Sequence, residues 1–335
     1  MSHRQRGRRW VVLAVLATVV TLVAQPSSQA DDDWYPGIPA NDGTVDEQWT
    51  NAASGGMGYS TLAKQWFRTP VQMATARTRM PPPEPAVVDP VTGVKTVTYP
   101  VVAKALLVSP EGAPANYGYM APVTVRSVGF GLMPVEATLQ VSQRRKDGYP
   151  VPLSVNLYGD WAYPPDGSAD PQFVSAAMRP TVVDDAFNVQ ILDIKIDGVD
   201  IGLTGDCRTV TPAPVHLVGP AYKIDYPDRY PTYQAEWYAT HDPKTYYNPF
   251  YGGYMAGTIT IPPFTGCTTA AGDDLSALMT TSASGPDNPI EATSGWPCGN
   301  EIDGAAWPPA PGDNTPKKAG CEGVTPLPYP ARGSD

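Results

Sequence analysis

The chain has 335 residues with 39 Pro and 31 Gly, roughly a fifth of the total against a usual combined share of about 12%, which excludes a helical bundle or a coiled coil. Hydrophobic residues at 42%, aromatics at 10% and charged residues at only 17% describe a chain able to bury a core rather than a disordered one. Lys and Arg number 23 against 33 Asp and Glu, a net charge of −10, which makes nucleic acid and anionic membrane surfaces poor partners.

Residues 1–30 read as a signal peptide: Arg4, Arg6, Arg8 and Arg9 precede an apolar run from Trp10 to Ala24, Pro26 breaks it, and Ser28 and Ala30 occupy −3 and −1 of a cleavage site. The apolar run falls short of the ~20 residues of a membrane-spanning helix. Removing those four positive charges takes −10 to −14 for a chain beginning near Asp31. Arg8-Arg9-Trp10-Val11-Val12 fits the twin-arginine pattern, and the general secretory route fits equally well. With no second long apolar segment, no integral membrane segment is expected after cleavage. The expected location is extracellular or envelope-associated.

Residues 31–90 read as an N-terminal cap and a Pro-rich spacer. Ser60 to Phe67 places Leu62, Trp66 and Phe67 near one helical face. Pro81, Pro82, Pro83 and Pro85 make Met80 to Pro90 an extended stretch expected to stay out of any sheet ladder.

Residues 91–298 carry the strand signal, and the expected fold is mainly β: an antiparallel β-sandwich, as one large or two stacked subdomains, with Pro/Gly-rich loops and a few short helices. Val94 to Tyr99, Val101 to Val108 and Val123 to Leu132 are rich in strand-forming residues. Val135, Ala137, Leu139 and Val141 alternate with Glu136, Thr138, Gln140 and Ser142, and Val151, Leu153, Val155 and Leu157 repeat the alternation after the turn Arg144 to Gly148. Period two predicts half-buried strands, here joined as a hairpin with a solvated charged tip. Phe187 to Ile196 and Val199 to Leu203 flank Asp197-Gly198, a favourable hairpin turn. Pro214 to Val218 and Gly257 to Ile261 complete the strands, and Asp274 caps a short helix carrying Leu275, Leu278 and Met279.

Nine of the 18 tyrosines fall between Tyr222 and Tyr254, together with Trp237 and Phe250. Amphipathic rings can stack on sugars or line an apolar groove, so Tyr230, Tyr233, Trp237, Tyr246, Tyr247 and Tyr251 are the candidate ligand-binding residues. The opposing reading is a loop whose rings pack on the sandwich and cover a sheet edge. Within the same segment, Glu236 beside Trp237 is the best candidate for a carboxyl of raised pKa, as a glycosidase acid needs, without an identifiable partner. His241 beside Asp242 is the other weak catalytic candidate, and an exposed loop histidine is more often incidental. Nucleophile-elbow, zincin, phosphate-loop and dinucleotide motifs are absent from the sequence.

Cys207, Cys267, Cys298 and Cys321 are an even number suited to an oxidising compartment. Three pairings exist; Cys207–Cys267 with Cys298–Cys321 is expected, the second tethering a Pro/Gly-rich tail over 299–335. Their wide spacing gives no metal-ligand pattern, so neither metal nor cofactor is expected. Asp31 to Asp33 and Gly272 to Asp274 lack the spacing of a calcium loop.

The run Ala256 to Cys267, then Asp274-Leu275 and Ser284 to Pro289 before Cys298, with Val128 to Thr138, resembles uncharacterised secreted β-rich proteins of actinobacteria. The resemblance implies an exported β-rich protein and carries over no functional residue. The expected function is a secreted, non-enzymatic cell-envelope or extracellular protein binding a glycan, lipid or protein through its aromatic surface. The alternatives are a secreted polysaccharide or ester hydrolase using Glu236 or His241, and a purely structural envelope protein. Oligomeric state and ligand identity are left open.

Overall fold

The computed structural model describes residues 47–294, apart from 111, 116, 130–132, 147, 168–172, 227–235, 239 and 249–251. The strands in chain order are β1 (Glu47–Ser60), β2 (Gln65–Arg79), β3 (Val87–Val88), β4 (Lys95–Leu107), β5 (Val123–Gly129), β6 (Met133–Gln143), β7 (Arg145–Lys146), β8 (Tyr149–Pro150), β9 (Leu153–Tyr163), β10 (Ser175–Met178) and β11 (Thr181–Ile196). There follow β12 (Val199–Asp200), β13 (Arg208–Thr209), β14 (Ala213–Gly219), β15 (Tyr222–Asp225), β16 (Tyr247–Asn248), β17 (Gly252–Ile261), β18 (Phe264–Thr265), helix α1 (Ser276–Ala283) and β19 (Gly285–Ser294).

Followed from strand to strand, the ladders return to their start. β9 pairs with β4, β4 with β2, β2 with β1, β1 with β19, β19 with β17, β17 with β14 and β14 with β11, which meets β9 again at Val182–Asn156. Every pairing is antiparallel. Ser175 opposite Asp225 and Thr181 opposite Gly219 share one register, so β10–β11 and β14–β15 form a single long hairpin bent at residues 179–180. The expected mainly β, antiparallel, sandwich-like architecture is present, with its layers joined edge to edge by backbone hydrogen bonds. Joining the layers leaves fewer unpaired edges to template aggregation, although β5 is laddered only to β6.

Three buried clusters are present among the described residues. Ala103, Val155, Leu157, Val183 and Met255 pack where β4, β9, β11 and β17 meet. Val189, Ile191, Ile194, Ala213, Phe264 and Met279 surround the disulfide Cys207–Cys267, both cysteines having no exposed surface. Aromatic residues make the third, described with the site. Gln143, at the end of β6, is 1% exposed: its Nε2 donates to the carbonyls of Ala105 (3.1 Å) and Val151 (3.0 Å) and its Oε1 accepts from Leu107 N (2.9 Å). A buried amide so satisfied couples β4 to β6 and to the start of β9.

Several sequence expectations are corrected. Ser60 to Phe67 is no helix: residues 61–64 turn between β1 and β2, and Tyr59 faces Trp66 across the hairpin with ring centroids 5.3 Å apart. The N-terminal cap and spacer segment supplies that long hairpin to the main sheet. Val87 and Val88, beyond the last of the clustered prolines, keep their N–H groups and pair with Thr96 and Lys95, so the spacer does enter a ladder. The strands on either side of the Arg144 turn do not pair with each other; β6 joins β5 and β11 while β9 joins β4 and β10. The Asp197-Gly198 turn is as expected, with φ of 50° and 77°. Asp274 Oδ1 accepts from Ser276 N (2.9 Å) at the start of α1, and these bonds hold its carboxyl below the usual range. The signal peptide, the 299–335 tail and the Cys298–Cys321 pairing lie outside the described residues. No helix among the described residues is long and apolar enough to cross a membrane.

Candidate functional site

Several described rings of the aromatic segment turn inward. Tyr222 and Ile224 alternate with exposed Lys223 and Asp225 on β15, sending one face into a cluster with Phe173, Tyr226, Trp237, Tyr238 and Tyr246. Trp237 and Tyr246 are only 9% and 3% exposed. The Trp237 ring stacks on Tyr222 at 5.4 Å, and Tyr238 meets Tyr246 edge-on at 5.1 Å. The hydroxyls of Tyr222 and Tyr238 lie 2.6 Å apart, and Asn248 Nδ2 donates to both at 2.8 and 3.1 Å. Burial, with the charge of Asp242 as second cause, pushes the Tyr246 phenol up, and burial pushes Tyr247 up to about 12. Tyr247 retains part of its surface at the water but lies over Gly219, where a Cβ would come 2.6 Å from the tyrosine's own.

Two of the six rings named as ligand contacts are therefore core, Tyr247 is half-buried, and Tyr230, Tyr233 and Tyr251 lie outside the described residues. Glu236 is exposed at the start of the helical residues 236–238, with Thr240 Oγ1 donating to its carbonyl at 2.8 Å. His241 is exposed as well; its ring stacks on Trp237 at 3.9 Å and its Nδ1 donates to the Trp237 carbonyl at 2.7 Å. Its expected partner Asp242 turns instead to Lys244 N (2.9 Å), capping the 3-10 turn Pro243–Thr245.

Polar groups converge elsewhere, in a groove of about 450 Å³ on the surface formed by β11, β14 and β17. Register builds it. Asp184 on β11 is opposite His216 on β14, and His216 is opposite Thr258 on β17, so the three form one row on one face of the sheet. His216 Nδ1 and Asp184 Oδ1 are 2.5 Å apart. Beside this row Asp185, with 7% of its side chain exposed, accepts from Arg144 Nη2 (2.8 Å) and from Ala186 N (2.7 Å).

Asp287, with φ 49°, also lines the groove. Buried Asn288 accepts from Thr61 N (3.0 Å) and Thr61 Oγ1 (2.9 Å) and donates to the carbonyls of Gly285 (2.9 Å) and Ile259 (3.3 Å), near the register shift between β17 and β19. Thr260 Oγ1 accepts from Asp287 N at 3.3 Å. The sequence pattern places His216 in a strand and the Arg144 turn in water; it shows neither Asp184 nor Asp185 as their partners, because both pairs join residues more than thirty positions apart in the chain. Comparison with family models, with curated proteins and with solved structures returned no match.

Proposed function

We propose that the protein is an exported, non-enzymatic component of the cell envelope or extracellular space, and that its aromatic segment serves as packing. One observation carries this reading: the rings of Trp237 and Tyr246 are sealed in a hydrogen-bonded aromatic cluster and are not available to stack on a ligand. The disulfide Cys207–Cys267 supports an oxidising compartment, and the resemblance to secreted β-rich proteins of actinobacteria points the same way. A hydrolase centred on Glu236 or His241 is disfavoured: both are exposed, Asp242 is turned from His241, and the polar groove contains neither.

The test has two arms. Detection of the chain in culture medium or envelope fractions is expected, and retention in the cytosol rejects the location. Trp237→Ala and Tyr246→Ala are expected to lower the melting temperature by several degrees. An unchanged melting curve, or turnover of chromogenic glycosides or esters that Glu236→Gln or His241→Ala abolishes, rejects the packing reading in favour of a site.

A further inference from the structure

We infer that the groove on β11, β14 and β17 is a binding site for a neutral polyhydroxylated ligand, a carbohydrate chain. Its volume of about 450 Å³ is that of a small-molecule cleft. What selects the ligand is how the charges are already used. Asp185 is neutralised by Arg144 and bonded by Ala186 N, and Asp184 accepts from His216. Each of these carboxylates already faces a cationic or N–H partner, and the described residues include no cluster of three or more metal-ligating side chains. An anionic ligand would meet Asp184 and Asp287 in the groove and an acidic chain around it.

What remains in the groove is a mixture of donors and acceptors. Asp184 has a second carboxylate oxygen, an acceptor. His216 has Nε2, an acceptor while Nδ1 carries the proton toward Asp184 and a donor once the ring is protonated. Arg144, with 42% of its side chain exposed, has N–H groups beyond the one given to Asp185. Thr258 adds a hydroxyl that both gives and receives. Vicinal hydroxyls of a sugar have the same double character, and each good pairing replaces a bond to water at small net cost. Pro214, exposed on the same face of β14 as His216, offers an apolar contact to the C–H face of such a ring.

Pinning is the second requirement, and the structure meets it. Asp184, His216 and Thr258 stand on three neighbouring strands joined by continuous ladders, and the hydrogen bonds of buried Asn288 anchor the residue next to Asp287. This site is independent of the aromatic segment and adds a ligand to the envelope role proposed above.

The experiment is native affinity electrophoresis of the mature chain through gels cast with dextran or mannan as neutral polymers, and with polygalacturonate as the anionic control. Retardation by a neutral polymer is expected, with at least a fivefold rise in dissociation constant for Asp184→Asn, His216→Ala and the near-isosteric Thr258→Val at unchanged melting temperature. Release by free glucose or mannose marks recognition of a terminal sugar, and release only by oligosaccharide marks an internal chain segment; either supports the site. No retardation by either neutral polymer, retardation by polygalacturonate alone, or retardation that Thr258→Val and Asp184→Asn leave intact overturns it. Should His216→Ala fail to fold, the other two variants decide.

Discussion

The hydroxyls of Tyr222 and Tyr238 lie 2.6 Å apart and share the side-chain amide of Asn248 as a donor. One asparagine thus satisfies two phenols in a cluster with almost no access to water. Asn248→Leu removes the donor and keeps the volume, leaving both oxygens short of a partner. A loss of about 1–3 kcal/mol is expected, read as a melting-temperature drop of several degrees. Tyr238→Phe alone should cost about 1 kcal/mol, since it removes one member and leaves Asn248 bonded to Tyr222. Equal stability of Asn248→Leu and the parent chain would show that the network contributes nothing.

Gln143 makes the same argument for the joint between β4 and β6. Leucine at this position leaves the carbonyls of Ala105 and Val151 and the N–H of Leu107 without the partner they have now. With each buried orphan costing about 1–3 kcal/mol, Gln143→Leu is expected to lose about 3 kcal/mol or more. Urea unfolding followed by circular dichroism checks it, and a midpoint within error of the parent contradicts the assignment.

The strands that the sequence shows plainly are those with one wet face: Val135 to Val141 in β6 and Val215 to Leu217 around His216 in β14 are built by alternation alone. β1 and β2 were not legible, because Gly55, Gly56, Ala74, Thr69 and Gln72 carry no apolar period; their ladder partners supply what their side chains do not signal. β19 opens with Gly285, Pro286 and Pro289, residues that argue against a strand, and Pro289 is accommodated because the ladder to β1 begins only at Ile290. The groove was invisible for a related reason. Asp184, His216 and Thr258 are separated by long stretches of chain and become neighbours only through register, so no local motif announces them.

Gly257 ties the fold to that groove. It is opposite Leu217 on β14, and a Cβ there would collide with the carbonyl oxygen of His216. Gly257→Ala must push β17 from β14, at a cost of about 1–3 kcal/mol as overpacking. The same shift separates Thr258 from His216, so the variant is expected to lose both stability and carbohydrate retardation. Gly272→Ala is the control for a glycine with open space around it, although its φ of 92° adds backbone strain without touching the groove. Destabilisation by both with loss of retardation only for Gly257→Ala is the expected pattern.

In acid, stability should depend on Asp160. Arg179 donates to both its oxygens at 2.8 and 3.0 Å and Thr98 adds a third bond at 2.6 Å, and these hold the carboxyl below its usual range. A depressed folded-state pKa means stability that is complete above the unfolded value of about 4 and disappears as pH falls through the folded one. Asp160→Asn should therefore be less stable than the parent at neutral pH, with the gap closing on acidification below about pH 4. A gap independent of pH would assign the loss to packing.

On the alkaline side, phenols raised by the fold matter, Tyr247 and Tyr254 most of all. Burial pushes Tyr247 up to about 12, and burial followed by the charge and hydrogen bond of Glu291 does the same for Tyr254. In the unfolded chain both ionise near pH 10. Between about pH 10 and 12 the unfolded state has released protons that the folded state still holds, so folding weakens as pH rises through that interval. Tyr247→Phe keeps the ring over Gly219 and removes the ionising group, and its urea midpoint should fall less steeply than the parent's from pH 10 upward. Glu291→Gln removes the negative neighbour of Tyr254 and should make that phenol ionise earlier, seen as phenolate absorbance appearing at lower pH in the folded protein. Parallel midpoint curves for Tyr247→Phe and the parent would mean that the phenol hydroxyl is not desolvated by folding, and the packing of Tyr247 against β14 would have to be abandoned.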